Sequence, residues 1–212
     1  ASAPPKHSAL GLASKVICQI EKKACPAELT IPVRQLFKIM SKNNKNPLLK
    51  FLFGSLWLTK PLVKLASSLM GGELNALLHT TCAVTMCQGS QAYNVLPSSA
   101  VIGLNLRLLG SDTVEKSRAR IEKIARKAVG KKADVSIRMV SENNPSIESQ
   151  TKCWQWEVLE KVINKTWPEI LVSPYLMMAC SDSRHYCKIT DKVYRFSGMF
   201  MSKEDRAMIH GV

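Results

Sequence analysis

Between residues 101 and 129 the spacing of apolar side chains changes period within a single short turn. Over 101–109 it is two: Ile102, Leu104, Leu106 and Leu108 alternate with Gly103, Asn105 and Arg107. After Gly110-Ser111-Asp112-Thr113 the steps become three and four, through Val114, Ile121, Ile124, Ala125 and Ala128, with Arg and Lys on the other side. Period two is a strand with one buried face, and steps of three and four are an amphipathic helix. A strand feeding directly into a helix must pack the two together. This restricts the chain to mixed α/β or α+β architecture.

The same reading extends upstream and downstream. Residues 8–23 predict an amphipathic helix through Leu10, Ala13, Ile17 and Ile20, with Ser8 as N-cap. Residues 26–72 predict a helical insertion, broken at Asn43-Asn44-Lys45-Asn46-Pro47 and closed by Gly71-Gly72. Residues 77–86 and 134–140 alternate and predict strands. Cys82 and Cys87, five positions apart in one strand, are expected on opposite faces. The order is helix, insertion, strand, strand, helix, strand. One strand ahead of Ala1 would complete the ferredoxin-like βαββαβ unit, so a lid missing its first strand is expected over 1–140. From Ser141 a linker-like stretch leads to a second unit, 141–212. There 151–166 predicts a helix, 171–179 a strand buried on both faces, and 192–196 a short strand.

Composition excludes some classes. In 212 residues, 46% are hydrophobic and 22% charged, which rules out a disordered or fibrous chain. The net charge of +14 admits an anionic partner or simply a basic surface. RNA binding by a basic ferredoxin-like sheet is a weak alternative, because 101–109 lacks aromatic residues on which bases stack. The most apolar stretch, 46–71, is interrupted by Lys50, Lys60, Pro61 and Lys64, so no membrane span is expected. Seven scattered cysteines without Cys-x-x-Cys spacing fit structural thiols in a reducing compartment, and a cytoplasmic location is the expectation.

Two groups of residues carry a resemblance. Asn94-Val95-Leu96-Pro97, the strand Gly103-Leu104-Asn105-Leu106-Arg107 and Gly110-Ser111-Asp112-Thr113 form the first. Ser181-Asp182-Ser183-Arg184-His185-Tyr186, Val193-Tyr194-Arg195-Phe196 and Ile209-His210-Gly211 form the second. In this order and spacing they resemble the zinc exopeptidase family of glutamate carboxypeptidase, aminoacylase and succinyl-diaminopimelate desuccinylase. The long insertion is most similar to the carboxypeptidase S and N-acyl-amino-acid hydrolase branch. The resemblance implies a lid, or dimerisation, domain followed by the C-terminal part of an α/β catalytic domain. It implies hydrolysis of N-acyl-amino acids or small peptides by a water held between two zinc ions (cobalt or manganese in some members).

Residue by residue, the resemblance matches His210 to the last metal ligand and Arg184 to an arginine gripping the substrate carboxylate. Asp182 either orients Arg184 or forms a salt bridge with it. Asn94 and Arg107 match lid residues that reach toward substrate, in some members from the partner subunit; otherwise Asn94 shapes a turn and Arg107 is solvated. The general base and the remaining ligands are expected upstream of Ala1, so this chain alone is expected to be inactive. His79 reads as a strand residue and His185 as supporting or structural. Phe51 and Trp57 in the insertion read as helix-packing surface or as a wall for an acyl chain. A homodimer through the lid is expected. The rival reading is a non-catalytic dimerisation module.

Overall fold

The computed structural model describes residues 3–23, 25–179, 181–202, 204–205 and 208. Its first layer is an antiparallel hairpin, β1 (Thr81–Gln88) and β2 (Val101–Arg107), covered on one face by α1 (Ala9–Lys22) and α6 (Val114–Val129). The helices begin where the sequence supplies caps. The Ser8 hydroxyl accepts from the Gly11 N–H at 3.0 Å, and Thr113 accepts from Lys116. Leu12, Val16 and Ile20 of α1 meet Ile121, Ile124, Ala125 and Val129 of α6, and Cys82, Ile102, Leu104 and Leu106 close the core from the sheet. Each large aliphatic side chain buried there contributes about 1.5–3 kcal/mol.

The sheet departs from the expected strands in three ways. Leu77 and Leu78 end a short helix, α5 (Gly72–Leu78), so β1 starts only at Thr81. A bulge between Val84 and Met86 adds one residue. It restores parity, so Cys82 (opposite Leu106) and Cys87 (opposite Ile102) lie on the same face. The expectation of opposite faces is corrected. Across the bulge Met86 sits on Gly103, where an added Cβ would stand 2.8 Å from the Met86 Cβ, so this position requires glycine. Third, 134–140 forms no strand. Val135 and Ile137 pack on the helix core as their alternation requires, but no neighbouring strand offers them a ladder. Among the described residues the sheet has two strands, and the complete ferredoxin-like sheet is not formed by them.

The insertion is helical, as its composition predicts. It comprises α2 (Ile31–Asn43), α3 (Pro47–Gly54) and α4 (Leu56–Met70), and α5 follows. Asn46 caps α3 by accepting from the Leu48 N–H at 2.9 Å. Helix α4 runs through Pro61 rather than breaking there. The insertion has its own core, in which Leu29, Val33, Phe37, Val63, Leu77 and Leu78 are buried. The Phe37 and Phe53 rings stack with centroids 4.7 Å apart.

Two polar ties fasten this unit. His79, read from sequence as a strand residue, caps α5 and is buried. Its Nδ1 lies 2.6 Å from the Cys25 carbonyl and its Nε2 3.2 Å from the Ser67 hydroxyl. A carbonyl only accepts, so Nδ1 carries the proton. The Lys64 ammonium donates to the Ala27 carbonyl at 2.6 Å.

The C-terminal segment wraps around both units. Glu148 accepts from the Ile31 N–H, Gln35 and Thr151 exchange hydrogen bonds, and Asn144 accepts from the Val114 N–H. Its helices are α7 (Trp154–Thr166) and α8 (Ser183–Tyr186). The strands expected over 171–179 and 192–196 are not formed. Instead, 171–179 is extended over the insertion: Leu176 and Met178 pack on its core while Leu171, Tyr175 and Met177 are exposed. An apolar run becomes a doubly buried strand only when strands flank it, and none is present among the described residues.

Candidate functional site

The hairpin presents its two candidate residues at opposite ends. Asn94 is exposed in the connection between β1 and β2. Arg107 is the last residue of β2, opposite Thr81, on the face turned away from the helix core. A strand of this length spans about 20 Å. The tight turn after β2 is fixed by Glu28, whose carboxylate accepts from the Ser111 N–H at 3.1 Å and the Ser111 hydroxyl at 2.9 Å. Gly110 at the turn has φ +54°, and a Cβ there would meet the same carboxylate.

Beside this turn sits a network that the sequence reading missed. Asp112 read there only as part of a helix start. Its carboxylate accepts from Thr80 at 2.7 Å, from Ser117 at 3.1 Å, and from Arg120 through a fork at 3.0 and 2.9 Å. Burial alone would raise the Asp112 pKa, but these donors outweigh it and hold the carboxyl below its ordinary value. Arg120 also reaches the Cys25 sulfur at 3.5 Å. The clue was the eight-residue spacing of Asp112 and Arg120, about two helical turns. The network fastens Thr80, just before β1, to α6 and to Cys25 ahead of the insertion.

The second cluster is in the C-terminal segment. Asp182 precedes α8 and its carbonyl accepts from the His185 N–H at 3.0 Å. The Arg184 Nε lies 3.5 Å from the His185 Nε2. Ion pairs among the described residues are Arg120–Asp112, Arg126–Glu122 and Lys192–Asp191, so Asp182 and Arg184 are not joined by one. Arg195 donates to the Ser183 hydroxyl and binds α8 to 193–196. Nearby, the Cys153 sulfur and the Tyr194 hydroxyl are 3.0 Å apart. That hydrogen bond holds the Cys153 thiol below its usual pKa, whereas burial above all raises that of Tyr194.

His210 lies outside the described residues. Among those described, no group of three or more His, Cys, Asp or Glu side chains is placed to hold a metal ion. The donor set for a two-metal centre is therefore not furnished by them. Phe51 and Trp57 lie on the outer face of the insertion, 53% and 85% exposed.

Residues 1–133 match the peptidase dimerisation domain of the M20 family. The chain belongs to the M20 peptidases. It is 26% identical to a probable carboxypeptidase S-like 2 of Dictyostelium discoideum, covering 100% of this chain and 39% of the relative. It is 30% identical to the N-fatty-acyl-amino acid synthase/hydrolase PM20D1 of Bos taurus (100% and 41%) and 24% identical to carboxypeptidase S of Saccharomyces cerevisiae (100% and 42%). The chain thus spans about two fifths of the length of the curated relatives it matches. No solved structure matches it.

Proposed function

We propose that residues 1–140 form the lid, and 141–212 part of the catalytic domain, of a metal-dependent hydrolase. It cleaves the amide bond of N-acyl-amino acids or small peptides. The observation that carries this reading is the extent of the likeness. The match to carboxypeptidase S and N-fatty-acyl-amino acid hydrolases runs through the whole chain, past the dimerisation domain and into the segment with Asp182, Arg184 and His210.

In this reading the Arg184 guanidinium clamps the substrate carboxylate through two parallel hydrogen bonds, and Asp182 orients it when substrate is bound. Asn94 and Arg107 reach toward substrate from the two ends of the hairpin. Their separation suits a lid that pairs with a second lid and serves two pockets, which makes the protein a homodimer. The complete lid is ferredoxin-like, with a further strand beside 134–140. His210 supplies one imidazole to the metal centre, and the general base and other ligands come from outside these residues. Zinc is the metal favoured for that centre, with cobalt or manganese as substitutes. The free cysteines among the described residues support a reducing, cytoplasmic setting.

The test is hydrolysis of N-acyl-amino acids by the intact protein, assayed with and without a chelator. Activity should be lost on chelation and return with zinc, cobalt or manganese. Arg184→Lys should raise KM by at least tenfold with a smaller change in kcat, since a lysine cannot form the planar fork. The 212-residue chain by itself should show no chelator-sensitive hydrolysis; such activity from it would overturn the assignment of roles. A non-catalytic dimerisation module is the second reading, favoured by the family match to the dimerisation domain. Chelator-insensitive absence of turnover in the intact protein would establish it.

A further inference from the structure

Helix α4 is built inside out. The side chains it buries are Thr59, Val63 and Ser67, spaced four apart. The Thr59 hydroxyl satisfies itself on the Ser55 carbonyl at 3.0 Å, and Ser67 on the Lys64 carbonyl at 2.8 Å. The side chains it shows to solvent are Leu58 (54% exposed), Leu62 (60%), Leu65 (59%) and Leu69 (78%). Steps of four, three and four confine these leucines to an arc of about 60° on the helix. Trp57 stands at the start of α4, and α3 adds Leu48 and Phe51, also exposed. An amphipathic helix on a water-soluble surface has the opposite arrangement. A contiguous apolar face of this kind marks an interaction surface.

Charge selects the occupant. From Glu28 to Glu73 the chain has no Asp or Glu, while Lys and Arg occupy seven positions between them. Lys42, Lys45 and Lys50 of this set are exposed on or just before α3, and Lys60 is exposed on the side of α4 away from the leucines. A second copy apposed through the leucine stripe would bring two such all-cationic surfaces together. An anionic lipid surface neutralises them instead. Exposed leucines and an exposed tryptophan, on a helical hairpin that carries lysines and no acidic side chain, match the chemistry of an interfacial segment that lies in the headgroup region. No helix among the described residues is long and apolar enough to cross a membrane, so the contact is with one leaflet.

We propose that α3 and α4 dock the protein onto anionic phospholipid bilayers, with Leu58, Leu62, Leu65 and Leu69 inserted at the acyl boundary and the lysines on the headgroups. The proposal does not depend on the hydrolase reading, and its test needs no substrate.

The experiment is flotation of the full-length protein with vesicles of phosphatidylcholine alone or with 30% phosphatidylserine, at low and high salt. Binding should require phosphatidylserine and fall as salt rises. Lys45→Glu/Lys50→Glu should weaken it by more than about fivefold per lysine. Leu62→Ser/Leu65→Ser should weaken it by about tenfold or more while leaving the circular dichroism spectrum and Tm unchanged. Trp57 fluorescence, isolated as the difference from Trp57→Phe, should be quenched by brominated acyl chains. Three outcomes would overturn the proposal. One is equal binding by wild type and both variants. The second is a leucine variant that separates a dimer into monomers without altering flotation, which assigns the face to a second copy. The third is a leucine variant that lowers Tm without altering flotation, which assigns it to another part of the protein.

Discussion

Asp112 joins more of its neighbours than its place at a helix start suggests. Its carboxyl is held below its ordinary pKa by Arg120, Thr80 and Ser117. A depressed carboxylate stabilises the fold above its unfolded pKa, near 4, and that stability is lost as pH falls through the lower folded value. The contribution of Asp112 should therefore be level from pH 7 to 5 and fall below about pH 4. Asp112→Asn should cost about 2 kcal/mol at pH 7 and flatten that acid limb, measured by urea unfolding across pH. Thiols provide a second check. Burial, and then the neighbouring Cys25, push the Cys82 thiol up to about 11, and burial raises Cys25 too. Alkylation at pH 7.5 followed by mass spectrometry should label exposed Cys18 and Cys87, and Cys153 held low by Tyr194, well before Cys25 and Cys82.

At the scale of elements, the cores of the hairpin unit and the insertion make separate predictions. Phe37→Ala removes a buried ring stacked on Phe53 and should cost about 3–5 kcal/mol by chemical denaturation. Gly103→Val, forced against the Met86 Cβ, should cost about 1–3 kcal/mol and loosen the bulge, visible as faster amide exchange in β1 and β2. Helices were the most legible elements. Ser8 and Thr113 marked two of their starts because a cap is a local hydrogen bond, made within three residues of itself, while Asn46, read only as part of a break, caps α3. Strands were legible only in part. Of the alternating set Val135, Ile137 and Met139, the first two pack inward and Met139 is exposed, and a strand also needs a neighbour, which no local pattern supplies. Leu77 and Leu78 continued the alternation of β1 and still belong to a helix, because burial in the insertion core decided their conformation.

For the whole molecule, the dimerisation-domain match makes association the first property to measure. Light scattering of the intact protein should give a dimer at micromolar concentration, and a monomer there would remove the pairing of lids from the proposed mechanism. The motif order singled out Asn94, Arg107, Asp182 and Arg184 as candidates by residue type. It did not give their arrangement. Asn94 and Arg107 share a hairpin but stand at its opposite ends, and Asp182 and Arg184 are two residues apart without forming an ion pair. The sequence alone determined the helices, the inward face of β2 and the family, because caps, periodicity and motif order are encoded over a few neighbouring residues. Tertiary structure decided the bulge that puts Cys82 and Cys87 on one face, the Asp112 and His79 fastenings, and the outward leucines of α4. Each of these depends on which distant surface is close enough to bond or bury a side chain, a question that spacing along the chain does not answer.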